Sequence, residues 1–183
     1  MKNIDFITHQ EWQQQSPRCY EGIGKSQWGF VNVSWDTATT RLCHIGFTNE
    51  RVGVTFLPKT SFEPADAQGM VDSIFSSNVP DFVAIGTPFQ LAVWQALYAL
   101  PWGATISYSA LAASIEKPRA VRAVASAVAS NPLSWLIPCH RVLPKSGGVG
   151  NYHWGSSLKG TLLAYEQTIT KTAPPAVRLR PDR

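Results

Sequence analysis

Leu133-Ser134-Trp135-Leu136-Ile137-Pro138-Cys139-His140-Arg141-Val142-Leu143-Pro144 sets one thiol, one imidazole and one guanidinium side by side within an apolar run. Proline disfavours helix at its own position and just before it, so this stretch reads as a buried extended segment. Cys139 then sits on rigid backbone. A free cysteine more often serves as a small core hydrophobe than as a nucleophile. Here the next two residues are cationic or can become so, and a cation beside a thiol favours the thiolate, the form that attacks. Adjacent residues on an extended segment point to opposite sides, so His140 reaches the Cys139 proton only through a bridging water or a local turn.

With 183 residues, 44% of them hydrophobic, the chain can bury one good core or two small ones in contact. The first residues lack the apolar stretch of a secretory signal, and no uncharged run is long enough to span a bilayer. An intracellular address follows, cytoplasmic or nucleoid-associated, with no membrane contact. Cys19, Cys43 and Cys139 are odd in number and irregularly spaced, which argues against a disulfide framework. His9, Cys19, Cys43 and His44 do not have the spacing of a compact zinc site, so no metal is expected. Residues 1–86 hold six Lys/Arg and nine Asp/Glu, a net −3, whereas 87–183 hold ten and three, a net +7. Only the second part is suited to a polyanion.

Residues 1–26 are weakly patterned, with one helical turn suggested at Glu11-Trp12-Gln13-Gln14-Gln15. From Gln27 three strand-like stretches follow: Trp28 to Trp35, Leu42 to Phe47, and Val52 to Leu57. They predict a small antiparallel sheet. Ala65 to Ser76 reads as a helix with Met70, Val71, Ile74 and Phe75 on its apolar side, and Asn78 to Ile85 reads as a linker.

A helix start is plain at Thr87-Pro88-Phe89-Gln90, where Thr-x-x-Gln forms a capping box and Pro88 takes the first helical position. This helix is expected to reach Leu100, with Phe89, Val93, Ala96, Leu97 and Leu100 on one face. Ser107 caps a second helix bearing Tyr108, Leu111, Ala112 and Ile115. Arg119 to Ser130 forms a third, whose only large side chains are arginines. The last two helices suggest a helix-turn-helix, yet an Ala/Val surface offers little to base edges in a major groove. The shallower minor groove, or tight packing against another element, suits it better. Leu158, Leu162, Leu163 and Tyr165 mark a final helix, and the basic, proline-rich 171–183 reads as a disordered tail. The reading is thus α+β: a small antiparallel sheet with helices over 1–86, then a mainly helical part over 87–170.

Pro138-Cys139-His140-Arg141-Val142 resembles the acceptor-site motif of the O6-alkylguanine-DNA alkyltransferases. The likeness runs in family order from Gly86-Thr87-Pro88-Phe89-Gln90 through Ile106-Ser107-Tyr108, Arg122-Ala123-Val124, Asn131-Pro132 and Gly150-Asn151-Tyr152 to Glu166. The resemblance implies a ribonuclease-H-like N-terminal domain supporting an active domain. It implies that Cys139 accepts an alkyl group, that His140 takes the thiol proton through water, that Glu166 orients His140, and that Asn131 braces the turn before the reactive segment. It also implies that Tyr108 donates to the departing guanine and that Arg122 fills the stack left by a flipped nucleotide. Ser107, Ala123 and Arg141 join Tyr108 and Arg122 as implied DNA contacts, while Trp135, Val149, Tyr152, His153 and Trp154 line the implied substrate pocket. Trp154 stands where some relatives have glycine. The implied partner is double-stranded DNA carrying O6-alkylguanine, with O4-alkylthymine as a second lesion, met in the minor groove by a monomer that acts once and needs no cofactor. A cysteine hydrolase would instead need an oxyanion hole and would turn over.

Overall fold

The computed structural model describes residues 4–15, 17–48, 57, 60–76 and 78–172. It divides into two units: residues 1–91 with 132–134, and residues 92–131 with 135–183.

The first unit begins with a strand, β1 (Ile4–Thr8), which runs directly into α1 (His9–Gln14). Thr8 and Glu11 make a capping box there, a Thr-x-x-Glu signal that a reading centred on Glu11 to Gln15 passes over. Next come β2 (Arg18–Ser26) and β3 (Gly29–Asp36), an antiparallel hairpin closed by Gln27 and Trp28, so Trp28 belongs to the turn and not to a strand. After β4 (Leu42–Thr48), β5 (Ser61–Pro64) and α2 (Gln68–Ile74), the unit ends in β6 (Phe82–Gly86).

The sheet has the order β1-β6-β4-β3-β2-β5 among the described residues. It corrects the expected three-stranded antiparallel sheet, because β1 with β6, β4 with β6, and β2 with β5 pair in parallel. The segment read as a linker is one of these inner strands. All five residues of β6 are buried, and a strand covered on both faces shows no alternation to betray it. Of the third expected strand, Val52, Val54 and Phe56 lie outside the described residues. Trp12, Cys19, Cys43, Leu57, Val83 and Ile85 form a core cluster, with the Trp12 indole N–H donating to Thr60 at 2.9 Å.

The second unit opens within α3 (Pro88–Tyr98). Its start keeps the expected capping box, Thr87 N donating to Gln90 Oε1 at 2.8 Å and Gln90 N to Thr87 Oγ1 at 3.2 Å. The helix stops two residues before Leu100, and Leu91 and Trp94 join Val93 and Leu97 on its buried side. Next, β7 (Ile106–Ser107) leads into α4 (Tyr108–Ser114), which Ser107 caps by accepting from Ala110 N. The following helix, α5 (Val121–Ala129), buries Val124, Ala127 and Val128 and leaves Arg122 and Ala123 exposed. The Trp94 indole donates to the Ala127 carbonyl at 2.7 Å, an approach to the backbone that the small residues of α5 permit.

A single 3₁₀ turn (Cys139–Arg141) then passes into β8 (Val142–Leu143), which pairs in parallel with β7. The reactive segment is therefore not extended, as its composition suggests, but coiled. Its proline brings this about: Pro138, at φ −80 and ψ 67, centres a tight turn in which Cys139 N donates to Ile137 O at 2.8 Å. The last helix, α6 (Ser156–Thr172), takes in two residues assigned to the tail, and 173–183 lie outside the described residues.

Two glycines of β2, Gly22 and Gly24, let α2 and the residues before it lie close, and a β-carbon on Gly24 would stand 2.7 Å from Val71 Cγ2. A β-carbon on Gly22 would stand 2.3 Å from the Ala65 carbonyl oxygen and 2.8 Å from Ala67 Cβ, whereas one on Gly69, within α2, would meet nothing within 4 Å. Gly22→Ala should therefore cost about 1–3 kcal/mol by overpacking. Gly69→Ala should be neutral or stabilise by up to about 1 kcal/mol through backbone entropy. Urea denaturation of the two variants checks the contrast, and equal shifts in midpoint would refute the close packing.

Candidate active site

The 3₁₀ turn makes three successive residues, Cys139, His140 and Arg141, project around one centre while all three stay buried. The β7–β8 pairing fixes what stands beside them. β7 ends one residue before Tyr108 and β8 begins one residue after Arg141, so a short parallel bridge brings the first residue of α4 to the thiol. The Tyr108 phenol is pushed above its ordinary pKa by burial and then by the charge of Cys139, which keeps it protonated and able to donate. Cys139 is 5% exposed, and its thiol lies 3.7 Å from the Tyr152 hydroxyl.

Glu166, 1% exposed on α6, is the hub of the site. Its Oε1 lies 2.8 Å from His140 Nε2. The Arg141 fork closes on it bidentately, Nε to Oε2 and Nη2 to Oε1, each at 2.8 Å, and Gly103 N adds a donor at 3.3 Å. Burial pushes the Glu166 pKa up, but the hydrogen bonds and charges of His140 and Arg141 outweigh it and hold the carboxyl below its usual value. Burial pulls the His140 pKa down, against Glu166, so the resting ring is neutral. A carboxylate on Nε2 keeps the proton there and leaves Nδ1 as the acceptor. Nδ1 makes no hydrogen bond among the described residues.

Arg141, assigned to DNA, is corrected here. It is 4% exposed, and beyond its two bonds to Glu166 its Nη1 donates to the carbonyls of Leu100 and Pro101, at 2.7 and 3.1 Å. Its fork is directed inward. Asn131 Nδ2 donates to the Ile137 carbonyl at 2.7 Å and so ties the end of α5 to the turn preceding Cys139. Trp135 stacks near-parallel on the His140 ring. His153 is exposed and meets half-buried Trp154 edge to face at 4.4 Å, while Val149 faces Gly160 of α6.

Lys159 is the residue the sequence reading misses. It is 1% exposed, donates from Nζ to the Val142 carbonyl at 2.7 Å, and lies 5.9 Å from the centre of the Tyr152 ring. Burial lowers its pKa and the neighbouring Cys139 raises it, so a cation stands close to the thiol. The signal was spacing: Lys159, Leu162 and Glu166 share one face of α6, a stripe in which the lysine and the glutamate replace apolar residues. Among the described residues no group of three metal-ligating side chains occurs, and no helix is long and apolar enough to cross a membrane.

A buried cysteine beside a histidine that a carboxylate orients is an arrangement suited to nucleophilic cysteine chemistry. Residues 88–168 match the family model described as the DNA-binding domain of 6-O-methylguanine DNA methyltransferase. A probable methylated-DNA–protein-cysteine methyltransferase of Acanthamoeba polyphaga mimivirus is 32% identical over 149 residues, covering 78% of this chain and 93% of that protein. The chain belongs to the methylated-DNA–protein-cysteine methyltransferase family. Regulatory protein ada of Salmonella typhimurium is 46% identical over 121 residues, 61% of this chain but only 34% of that protein's length. Among solved structures, Mycobacterium tuberculosis OGT in complex with DNA superposes with a TM-score of 0.67 at 26% identity, covering 81% of this chain and 93% of that one.

Removing the Glu166 carboxylate leaves a buried guanidinium without its counter-charge. Glu166→Ala should cost about 3–5 kcal/mol at pH 7. Because the folded pKa of Glu166 is depressed, its contribution is present above pH 4.5 and fades as pH falls through the folded value. The variant should therefore lose less stability than the parent on acidification below that point. Urea denaturation at pH 7 and pH 4 measures both, and a cost below about 1 kcal/mol at pH 7 would contradict the hub role.

Proposed function

We propose that this chain repairs DNA by moving the alkyl group of O6-alkylguanine directly onto Cys139. The observation that carries the reading is the buried Cys139 beside a neutral His140, whose Nε2 is held by Glu166 and whose Nδ1 is left to accept a proton. His140 takes the thiol proton through water, and the buried cation of Lys159 favours the resulting thiolate. Sulfur attacks the alkyl carbon in line; the S–C bond forms as the C–O6 bond breaks, and the bonding pair leaves on guanine. Tyr108 supplies a proton to neutralise the departing base. Asn131 acts at one remove by fixing the turn that carries Cys139.

The target atom lies within the duplex, so the nucleotide must be flipped out, and Arg122 on the exposed side of α5 fills the vacated stack. On this reading α4 and α5 are a helix-turn-helix whose second helix enters the minor groove, where exposed Ala123 allows close approach and Ser107 sets the start of α4. Tyr152, His153, Trp154, Val149 and Trp135 border the base pocket, with the Trp154 indole restricting bulky alkyl groups. O4-alkylthymine is a second substrate. The domain division is 1–86, ribonuclease-H-like, and 87–170, active. The protein works as a cytoplasmic or nucleoid-associated monomer.

A thioether offers no route back to the thiol, so each molecule acts once. Incubation with duplex containing O6-methylguanine should add one methyl group to the intact mass, located on Cys139, and Cys139→Ser should gain none. Product in clear molar excess over protein would refute the transfer and favour a hydrolase.

Arg122→Ala should slow repair of duplex by about tenfold or more and leave reaction with free O6-methylguanine nearly unchanged, since only the duplex needs a filler for the stack. Equal losses on both substrates, measured by the same mass assay over time, would exclude the finger.

A further inference from the structure

The two side chains that bond the Glu166 carboxylate, His140 and Arg141, each rest on an indole. His140 stacks on Trp135, ring centres 6.1 Å apart and planes within 15°, and the Arg141 guanidinium carbon stands 5.2 Å from the centre of the Trp102 ring. The indoles meet edge to face at 5.5 Å and 79°, and Tyr165 closes on Trp135 at 6.2 Å. Trp135 is also one of three described non-glycine residues with positive φ, at +77°. A left-handed backbone is costly for a bulky side chain and persists where its surroundings over-determine it, most often at functional sites.

We infer that Trp135, backed by Trp102 and Tyr165, is a positioning residue that aligns the His140 imidazole and stabilises its protonated form while it holds the Cys139 proton. This rests on the reading of Cys139 as alkyl acceptor. A ring buried completely must become an imidazolium for the thiolate to form, and burial opposes that charge. The charged and titratable groups around it are Cys139 and Arg141 on its own turn and Lys159 and Glu166 on α6; Arg141 and Lys159 add to the opposition, and only Glu166 relieves it. Glu166 divides its two oxygens between His140 and Arg141. An indole face adds negative potential without titrating, and it leaves the Nε2 contact with Glu166 and the free Nδ1 undisturbed. Parallel stacking also fixes the ring plane, which sets the direction of the Nδ1 lone pair.

The test follows the rate of Cys139 methylation by O6-methylguanine duplex from pH 5.5 to 9.5 in the parent, Trp135→Leu and Trp135→Phe. With leucine the imidazolium loses its π partner, so thiolate formation should need higher pH. The rate near pH 6.5 should fall about fivefold, the midpoint should rise by about 0.7 unit, and the rates should converge where the thiol ionises unaided. Phenylalanine should restore most of the low-pH rate. A profile lowered equally at every pH, or not altered at all, would overturn the inference and leave Trp135 as a wall or filler. If the leucine variant does not fold, protein with fluorinated tryptophan, whose rings keep their shape but have weaker faces, takes its place with the same expected shift and the same refuting outcomes. Parent protein that gains no methyl group refutes the acceptor reading itself, an outcome distinct from an unshifted variant.

Discussion

One buried carboxylate organises the second unit. Glu166 joins α6 to two of the three residues of the 3₁₀ turn and to the loop after α3, through His140, Arg141 and the Gly103 amide. Taking a carboxylate out of water is unfavourable by several kcal/mol, and only close, well-directed partners offset it. His140 and the bidentate Arg141 fork together supply that compensation, and the fork keeps its charge whichever state His140 is in. His140 can therefore alternate between neutral and charged without leaving Glu166 uncompensated, which an acid-base residue requires and a lone His–Glu pair would not provide. Arg141 in turn is held by the Leu100 and Pro101 carbonyls, just past α3, so the orientation of His140 depends on how the chain leaves that helix.

A second constraint is local and comes from proline. The turn at Pro138 and the 3₁₀ turn after it convert a chain of alternating directions into one in which a thiol, an imidazole and a guanidinium gather about a common centre. Two residues of β8 against two of β7 then suffice to bring Tyr108 beside Cys139. With Lys159 bonded to the Val142 carbonyl, the thiol has a cation on one side and two phenols near it. The small residues of α5 serve two purposes at once, since they admit the Trp94 indole to the backbone on one face and expose a low surface with Arg122 on the other.

Elements whose signals are local are legible in the residues alone. The Thr87-x-x-Gln90 box began α3, Ser107 capped α4, and the apolar stripe of Leu158 and Leu162 marked α6, because each is a matter of one or two turns of backbone. The motif around Cys139 also located the candidate site. Pairing and burial are different, because they depend on segments far apart in the chain. Nothing within Phe82–Gly86 says that it lies between two parallel neighbours, because a strand buried on both faces carries no alternation and its partners are distant in sequence. Arg141 shows the same limit. A guanidinium in a basic region reads as a nucleic-acid contact until a carboxylate twenty-five residues later, and two carbonyls forty or so residues earlier, are found to occupy it. Charge can be counted along a chain, but whether water or a partner satisfies it depends on which segments meet, and that is settled only when the fold brings them together.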